Sequence, residues 1–215
     1  MTYQKLQNIT LPEILKLEKR YRINFINSIT GYKAASLIAT TNENGAENIA
    51  IFSSMVHIGA NPPLIGFVMR PLTIPRQTYS NIKKTGFYTL NQVHTDIVWQ
   101  AHQTSAKYAE EVSEFSATDL TPWYSDNFPA PYLAESHVKM GLKFVEEQHI
   151  RVNGTILIIG EIQELFYPEN IISKDGSADL NAIETVAITG LDTYHLPQKL
   201  KRFSYARPHE PSIEI

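Results

Sequence analysis

The chain has 215 residues, 43% of them hydrophobic and 19% charged, with a formal net charge of −3. That composition suits one soluble domain with a sizeable core and gives no hint of nucleic acid or an anionic membrane as partner. With no cysteine, disulfides, thiolate catalysis and cysteine-ligated zinc are excluded. No apolar stretch approaches the roughly 20 residues of a membrane span. The polar start "MTYQKLQNIT" predicts no secretory signal, so a cytoplasmic location is expected.

In chain order, "LPEILKLEKRYR" predicts a short helix with Pro12 in its first turn, inside an N-terminal helical extension over residues 1–23. "YKAASLIAT" reads as a strand, and Asn44-Gly45 marks a hairpin turn into "NIAIFSS", which "MVHI" is expected to continue. "LIGFVMR" is an apolar strand preceded by Asn61-Pro62-Pro63. That triplet predicts an extended, hydrogen-bond-poor lead-in, which would leave the "SSMVHI" backbone free to face a ligand. "TIPRQTYSNIKKTG" predicts a helix with Pro75 in its first turn, Thr78 and Ile82 on one face, and Gly86 at its end. "FYTLNQV" is a further strand. "TDIVWQAHQTSAKYA" predicts a helix capped by Thr95 or Asp96, with Ala101, Ser105 and Tyr108 inside and Trp99 in the core. Residues 113–135 read as a long irregular excursion. "VKMGLKFVEEQHI" and "GTILIIGEIQELFY" then pair around Asn153-Gly154, and an extended tail closes the chain. Hairpin-linked strands with two inserted helices do not alternate as a doubly wound sheet does. They point to a mostly β fold, an antiparallel barrel with helical decorations, in a single domain over residues 1–215.

Most catalytic signatures are missing. There is no GxGxxG, Walker or GxSxG motif, and the seven histidines form no tight metal pair. No metal site is expected. A bound cofactor is therefore expected to carry any chemistry.

One ordered set of residues carries a signal. Asn48, Ala50, Ser53 and Ser54 are followed by Asn61-Pro62-Pro63 and an apolar strand. Thr78, Asn81 and Ile82 come next, then Gly86-Phe87 and Asn91. Further on stand "GTILIIGEIQELF" and the ending "GLDTYHLPQKLKRFSYARP". Over residues 24–208 this set resembles the flavin reductase-like family, including the flavoredoxin-like members. The resemblance implies an antiparallel split β-barrel of the FMN-binding type, FMN as cofactor, NADH or NADPH as possible co-substrate, and a homodimer with the flavin between subunits. Two departures stand out. Ile51 occupies a position where many relatives carry proline, and the turn "RVNGTILIIGEI" lacks an acidic-histidine pair, so no histidine for a nicotinamide site is carried over.

The residues themselves suit a flavin nucleotide. Ser53, Ser54 and Met55 offer hydroxyls and backbone donors on a strand edge for the ring, with Asn48 on the same strand. Arg70 ends the apolar strand. Arg76, Gln77 and Thr78 open the next helix, where unpaired N–H groups and the positive dipole end favour a phosphate, and Asn81 follows one turn later. His102, Thr104 and Ser105 are further candidates for the ring or phosphate. No catalytic side chain is assigned. Two function classes follow: an FMN-dependent oxidoreductase that accepts hydride from a nicotinamide and passes electrons on, and a non-catalytic FMN-binding electron carrier or flavin-binding module. The arginines and the helix N-terminus count against a third, a purely structural or interaction protein on the same barrel.

Overall fold

The computed structural model describes residues 5–109 and 111–215. Two helices come first, α1 (Leu11–Lys16) and α2 (Lys19–Ile29). The predicted single helix breaks at Leu17-Glu18. Glu18 is extended and its carboxylate accepts the N–H of Tyr21, so it caps a new helix instead of continuing the old one. The helical extension thus runs on to Ile29, past the expected limit at residue 23. Neither helix buries a residue.

The core is one seven-stranded sheet. Its strands are β2 (Ser36–Thr41), β3 (Glu47–Phe52), β4 (Met55–Ala60), β5 (Pro63–Met69), β6 (Phe87–Gln92), β9 (Lys139–Ile150) and β10 (Thr155–Phe166). They lie in the order β3-β2-β6-β9-β10-β5-β4, each pair antiparallel. Helix α3 (Gln77–Thr85) links β5 to β6 and ends at Gly86, whose φ of 78° only glycine adopts freely. A short β1 (Lys33–Ala34) precedes β2 and pairs with β11 (Ala187–Thr189), which pairs in turn with β12 (Thr193–His195). Helices α4 (Val98–Gln103) and α5 (Glu114–Ala117) and the ribbon of β7 (Pro122–Trp123) and β8 (Tyr132–Leu133) fill the region between β6 and β9.

Alternation along the strands sorts side chains into two cores. Ile38, Phe67, Met69, Tyr88, Leu90, Leu142, Ile156 and Ile158 fill the barrel, and Ile82 of α3 packs with them. Leu37, Ala39, Ile49 and Val93 point the other way and are covered by Ala101, Phe115, Val186 and Ile188. The sheet curls round without closing. β3 and β4 are its two outer strands, yet only Ser53-Ser54 separates them in the chain. The fold is a split β-barrel, as expected, and these two serines cross the split.

Several local expectations change. "MVHI" does not continue β3: it belongs to β4, which pairs with β5 at the opposite edge of the sheet. Asn61-Pro62, a cis bond, sits in the turn of that β4–β5 hairpin, so the segment before it is paired on one side instead of being free. Pro75 lies outside α3, for which Arg76 is the N-cap residue. The helix predicted from Thr95 is a 3-10 turn over Thr95–Ile97 followed by six residues of α4, and His94, not Thr95 or Asp96, stands at its cap position. Ala101 is buried, but Trp99 is 64% exposed and Ser105 faces solvent. β11 and β12 have no counterpart in the sequence reading, and the tail folds back on itself through Phe203–Glu214 and Arg207–Glu210 bridges. The Asn44-Gly45 and Asn153-Gly154 hairpins form as expected. Among the described residues no helix is long and apolar enough to cross a membrane.

Candidate functional site

Two segments, 48–54 and 68–78, are pinned together at both ends. At one end the Ser54 hydroxyl donates to the carbonyl of Val68 at 2.9 Å and accepts the Val68 N–H at 3.1 Å. One side chain thus extends the β4–β5 ladder by one pair and ties the crossing between β3 and β4 to β5. At the other end the Asn48 amide donates to Gln77 Oε1 at 3.2 Å and accepts the Thr78 hydroxyl at 3.0 Å. Between the pins lie Ser53, the exposed Arg70 and the turn leading to Arg76. Met55 pairs with Phe67 beside the first pin and packs on the barrel core.

The start of α3 is prepared for an anion. Among the described residues, the side chain of Arg76, the N-cap residue, makes no capping hydrogen bond, and no acidic residue stands in the first turn. The helical N–H groups of Thr78 and Tyr79 therefore have no partner within the helix. Arg76 is partly buried, and its Nε is buried with no hydrogen-bond partner among the described residues. An arginine nitrogen withdrawn from water and left unpaired is costly unless an acceptor completes it. A guanidinium, uncapped helical N–H groups and the dipole end together fit a phosphate.

The outer edge of β3 is mostly sealed. Glu114 of α5 accepts the Ile49 N–H at 3.4 Å, and the Thr104 hydroxyl accepts the Ile51 N–H at 3.0 Å. The next N–H in this alternating row belongs to Ser53, and no side chain among the described residues covers it. That donor lies at the split, between the ends of β3 and β4. Burial pushes the Glu114 carboxyl above its ordinary range, opposed by the Ile49 N–H and the Asn48 amide, which donates at 2.7 Å. Beside this network a cavity of about 370 Å³ opens between the β2–β3 turn and α3, lined in part by Glu47, Gln77 and Ser113.

Asn48, Ser53, Ser54, Met55, Arg70, Arg76, Gln77 and Thr78 thus lie on or beside these two pinned segments, but they do different work. Asn48 and Thr78 point into the protein and bond each other. Asn81 is also buried and donates to Thr40 at 3.0 Å. Thr104 seals β3. His102 is exposed, with its Nδ1 3.2 Å from the hydroxyl of Tyr194 on β12. Ser105 is exposed and makes no side-chain hydrogen bond among the described residues. Sequence reasoning missed Glu114 and Tyr194. Glu114 is one of many carboxylates, and nothing in the spacing of either residue ties it to β3 or α4.

A family model for the flavin reductase like domain matches residues 30–178. The chain belongs to the flavin reductase-like family. Its fold is also that of solved members and relatives. A split barrel domain protein from Shewanella frigidimarina NCIMB 400 is 48% identical, with a TM-score of 0.90 over 93% of this chain and 100% of that one. Flavoredoxin of Desulfovibrio vulgaris (Miyazaki F) is 21% identical, with a TM-score of 0.69 over 83% of this chain and 91% of its own. An FMN-binding protein from Thermus thermophilus is 14% identical, with a TM-score of 0.69 over 96% of this chain and 100% of its own. Membership of the flavin reductase-like family supports a flavin-related oxidoreductase role, and the match covers the split and the whole of α3.

Proposed function

We infer that the protein is an FMN-binding oxidoreductase that uses NADH or NADPH. The observation that carries the FMN reading is the buried, unpartnered Arg76 Nε at the uncapped start of α3. FMN, when bound, supplies the redox chemistry: it takes up hydride and gives electrons onward. The chain supplies position. Arg76 and the first-turn N–H groups of α3 hold the phosphate, with Arg70 adding charge at the rim. The Ser53 N–H would be the donor offered to the ring at the split, and Ser54 holds the crossing against β5. No acid or base from the protein is required for hydride transfer to the flavin, which agrees with a cleft whose polar groups are mainly amides, hydroxyls and arginines.

The Arg76→Ala variant tests this. It removes a charge-assisted hydrogen bond, worth about 1.5–3 kcal/mol, or on the order of ten- to a hundredfold in affinity. FMN binding should weaken by that factor while riboflavin binding, measured by fluorescence quenching, holds. Equal losses for the two flavins would place the phosphate elsewhere. Anaerobic addition of NADH or NADPH to the FMN-loaded protein then separates the enzyme from the carrier. Loss of the flavin's visible absorption supports the oxidoreductase, and an unchanged spectrum leaves an electron carrier. The departure in the Arg151–Gly154 turn, with no acidic-histidine pair, is what favours the carrier.

A second copy of the chain is proposed to complete the molecule. α1 and α2 bury nothing, and Leu11, Leu15, Ile23, Ile26 and Ile29 are all exposed on them. Sedimentation should give about twice the 24.4 kDa chain mass, and a strictly monomeric particle would refute it.

A further inference from the structure

Asn48 is 5% exposed, and the hydrogen-bonding capacity of its amide is spent inside the protein. Its oxygen accepts the hydroxyls of Thr78 at 3.0 Å and Thr40 at 3.5 Å. Its nitrogen donates to Gln77 Oε1 at 3.2 Å and Glu114 Oε2 at 2.7 Å. One amide therefore ties together β2, β3, α3 and α5.

The polarity of this network is set from one end. An ionised carboxylate only accepts, so Glu114 turns the NH2 of Asn48 toward itself. The Asn48 oxygen then faces Thr78 and Thr40, whose hydroxyl protons must turn inward to meet it. Thr40, having given its proton, accepts from Asn81 Nδ2 at 3.0 Å. With the amide reversed, its carbonyl would face the Glu114 carboxylate and Gln77 Oε1 with no donor between them, and the Thr78 and Thr40 hydroxyls would have to turn their protons away and accept from the NH2 instead. The Ile49 N–H holds the same carboxylate oxygen in place at 3.4 Å.

We propose that Glu114 is a positioning residue for the phosphate end of the site. Acting through Asn48, it fixes the first turn of α3 against β3, and so sets a preference for FMN over riboflavin without touching either. This rests on the reading of the α3 N-terminus as the phosphate site. Glu114 contributes no donor to the ligand. It decides which way the donors and acceptors beneath the helix point, and hence where Arg76 and the N–H groups of Thr78 and Tyr79 are presented.

The experiment measures FMN and riboflavin affinities by fluorescence quenching, beside thermal melts, for Glu114→Ala, Glu114→Gln and Asn48→Asp. Glu114→Ala removes the charged, shorter-range one of the two acceptors that orient Asn48 and leaves Gln77 Oε1 alone. FMN should bind about tenfold more weakly, the size of one hydrogen bond to a charged group, with riboflavin unchanged. Glu114→Gln can still present a carbonyl to Asn48 and should recover most of the preference for FMN. Asn48→Asp sets a carboxylate against Glu114 and should lose that preference at least as far as the alanine variant. Should Glu114→Ala not fold, Asn48→Asp decides in the same way. Equal weakening of both flavins, or a lower melting temperature with the FMN preference intact, would overturn the proposal. If Arg76→Ala also fails to discriminate between the flavins, the phosphate reading itself falls. If Arg76→Ala discriminates and Glu114→Ala does not, the positioning role alone falls.

Discussion

Replacing Ser54 by alanine tests the split directly. The hydroxyl makes two hydrogen bonds to the backbone of Val68, at 2.9 and 3.1 Å, in a part-buried setting. Alanine loses both and leaves the N–H and carbonyl of Val68 without the partner that stands in for a strand. Each bond is worth about 0.5–1.5 kcal/mol net, so the loss comes to about 1–3 kcal/mol. For a chain of this size each kcal/mol lowers the melting temperature by about 2–4 °C, so the apoprotein should melt several degrees earlier. FMN and riboflavin should both bind more weakly, because the crossing and the adjoining ring donor loosen whether or not a phosphate is present. Ser53→Ala is the control: its hydroxyl bonds nothing among the described residues, and its melt should stay at the wild-type value. Differential scanning fluorimetry of the apoproteins, followed by flavin titration, gives both readouts. An unchanged melt for Ser54→Ala would show that the crossing is held against β5 by something other than this side chain.

Two other sites give independent tests. The Tyr88 hydroxyl is buried in the barrel without a hydrogen-bond partner among the described residues, and burial pushes its pKa well above the ordinary tyrosine value. Tyr88→Phe should therefore stabilise the protein by about 1 kcal/mol, read as a higher urea midpoint. Gly160→Ala should destabilise by about 1–3 kcal/mol, since its methyl would stand 2.2 Å from that same hydroxyl. The two changes together should be non-additive. His94 is buried and stacked 4.0 Å from His137, with its Nε2 3.0 Å from the Glu135 carbonyl and Asp96 and Glu184 as the nearby acids. Burial, reinforced by His137, holds its pKa below the ordinary 6.5. The unfolded chain then binds more protons than the native one, so this stability is present above about pH 6.5 and lost as the pH falls below it. His94→Gln should flatten that part of the urea-midpoint profile, and an unchanged slope would refute it.

What the sequence shows of this molecule is its local chemistry. Asn44-Gly45, Gly86 and Asn153-Gly154 each force a backbone turn, and the element boundaries around them follow. Arg76 at a helix start is likewise a local pattern. The errors arise where a distant partner decides. Ser53-Ser54 looks like the middle of one strand, because nothing local shows that Met55 will pair with Phe67 at the far edge. Thr78 and Asn48 look like ligand contacts, because both are small, polar and near an anion site. Each turns inward because the other is there, 30 residues away in the chain. β11 and β12 are three residues each, too short for any periodicity to register. The resemblance to the flavin reductase-like family and the local chemistry named residues of two kinds together, those whose side chains turn inward, such as Asn48, Thr78 and Asn81, and those that face out, such as Arg70.

The crossing at Ser53-Ser54 also bears on how the protein acquires its shape. Its two flanking strands are neighbours in sequence but lie at opposite ends of the ladder β3-β2-β6-β9-β10-β5-β4. They can meet across the split only after the five strands between them have paired, and several of those pairings join remote parts of the chain, such as Met69 with Ile156. Loop closure of that kind is slow and comes late. The split is thus a final assembly point. A chain with β9 and β10 unpaired would hold the 48–54 and 68–78 segments only through their own pins at Ser54 and Asn48, with no barrel behind them.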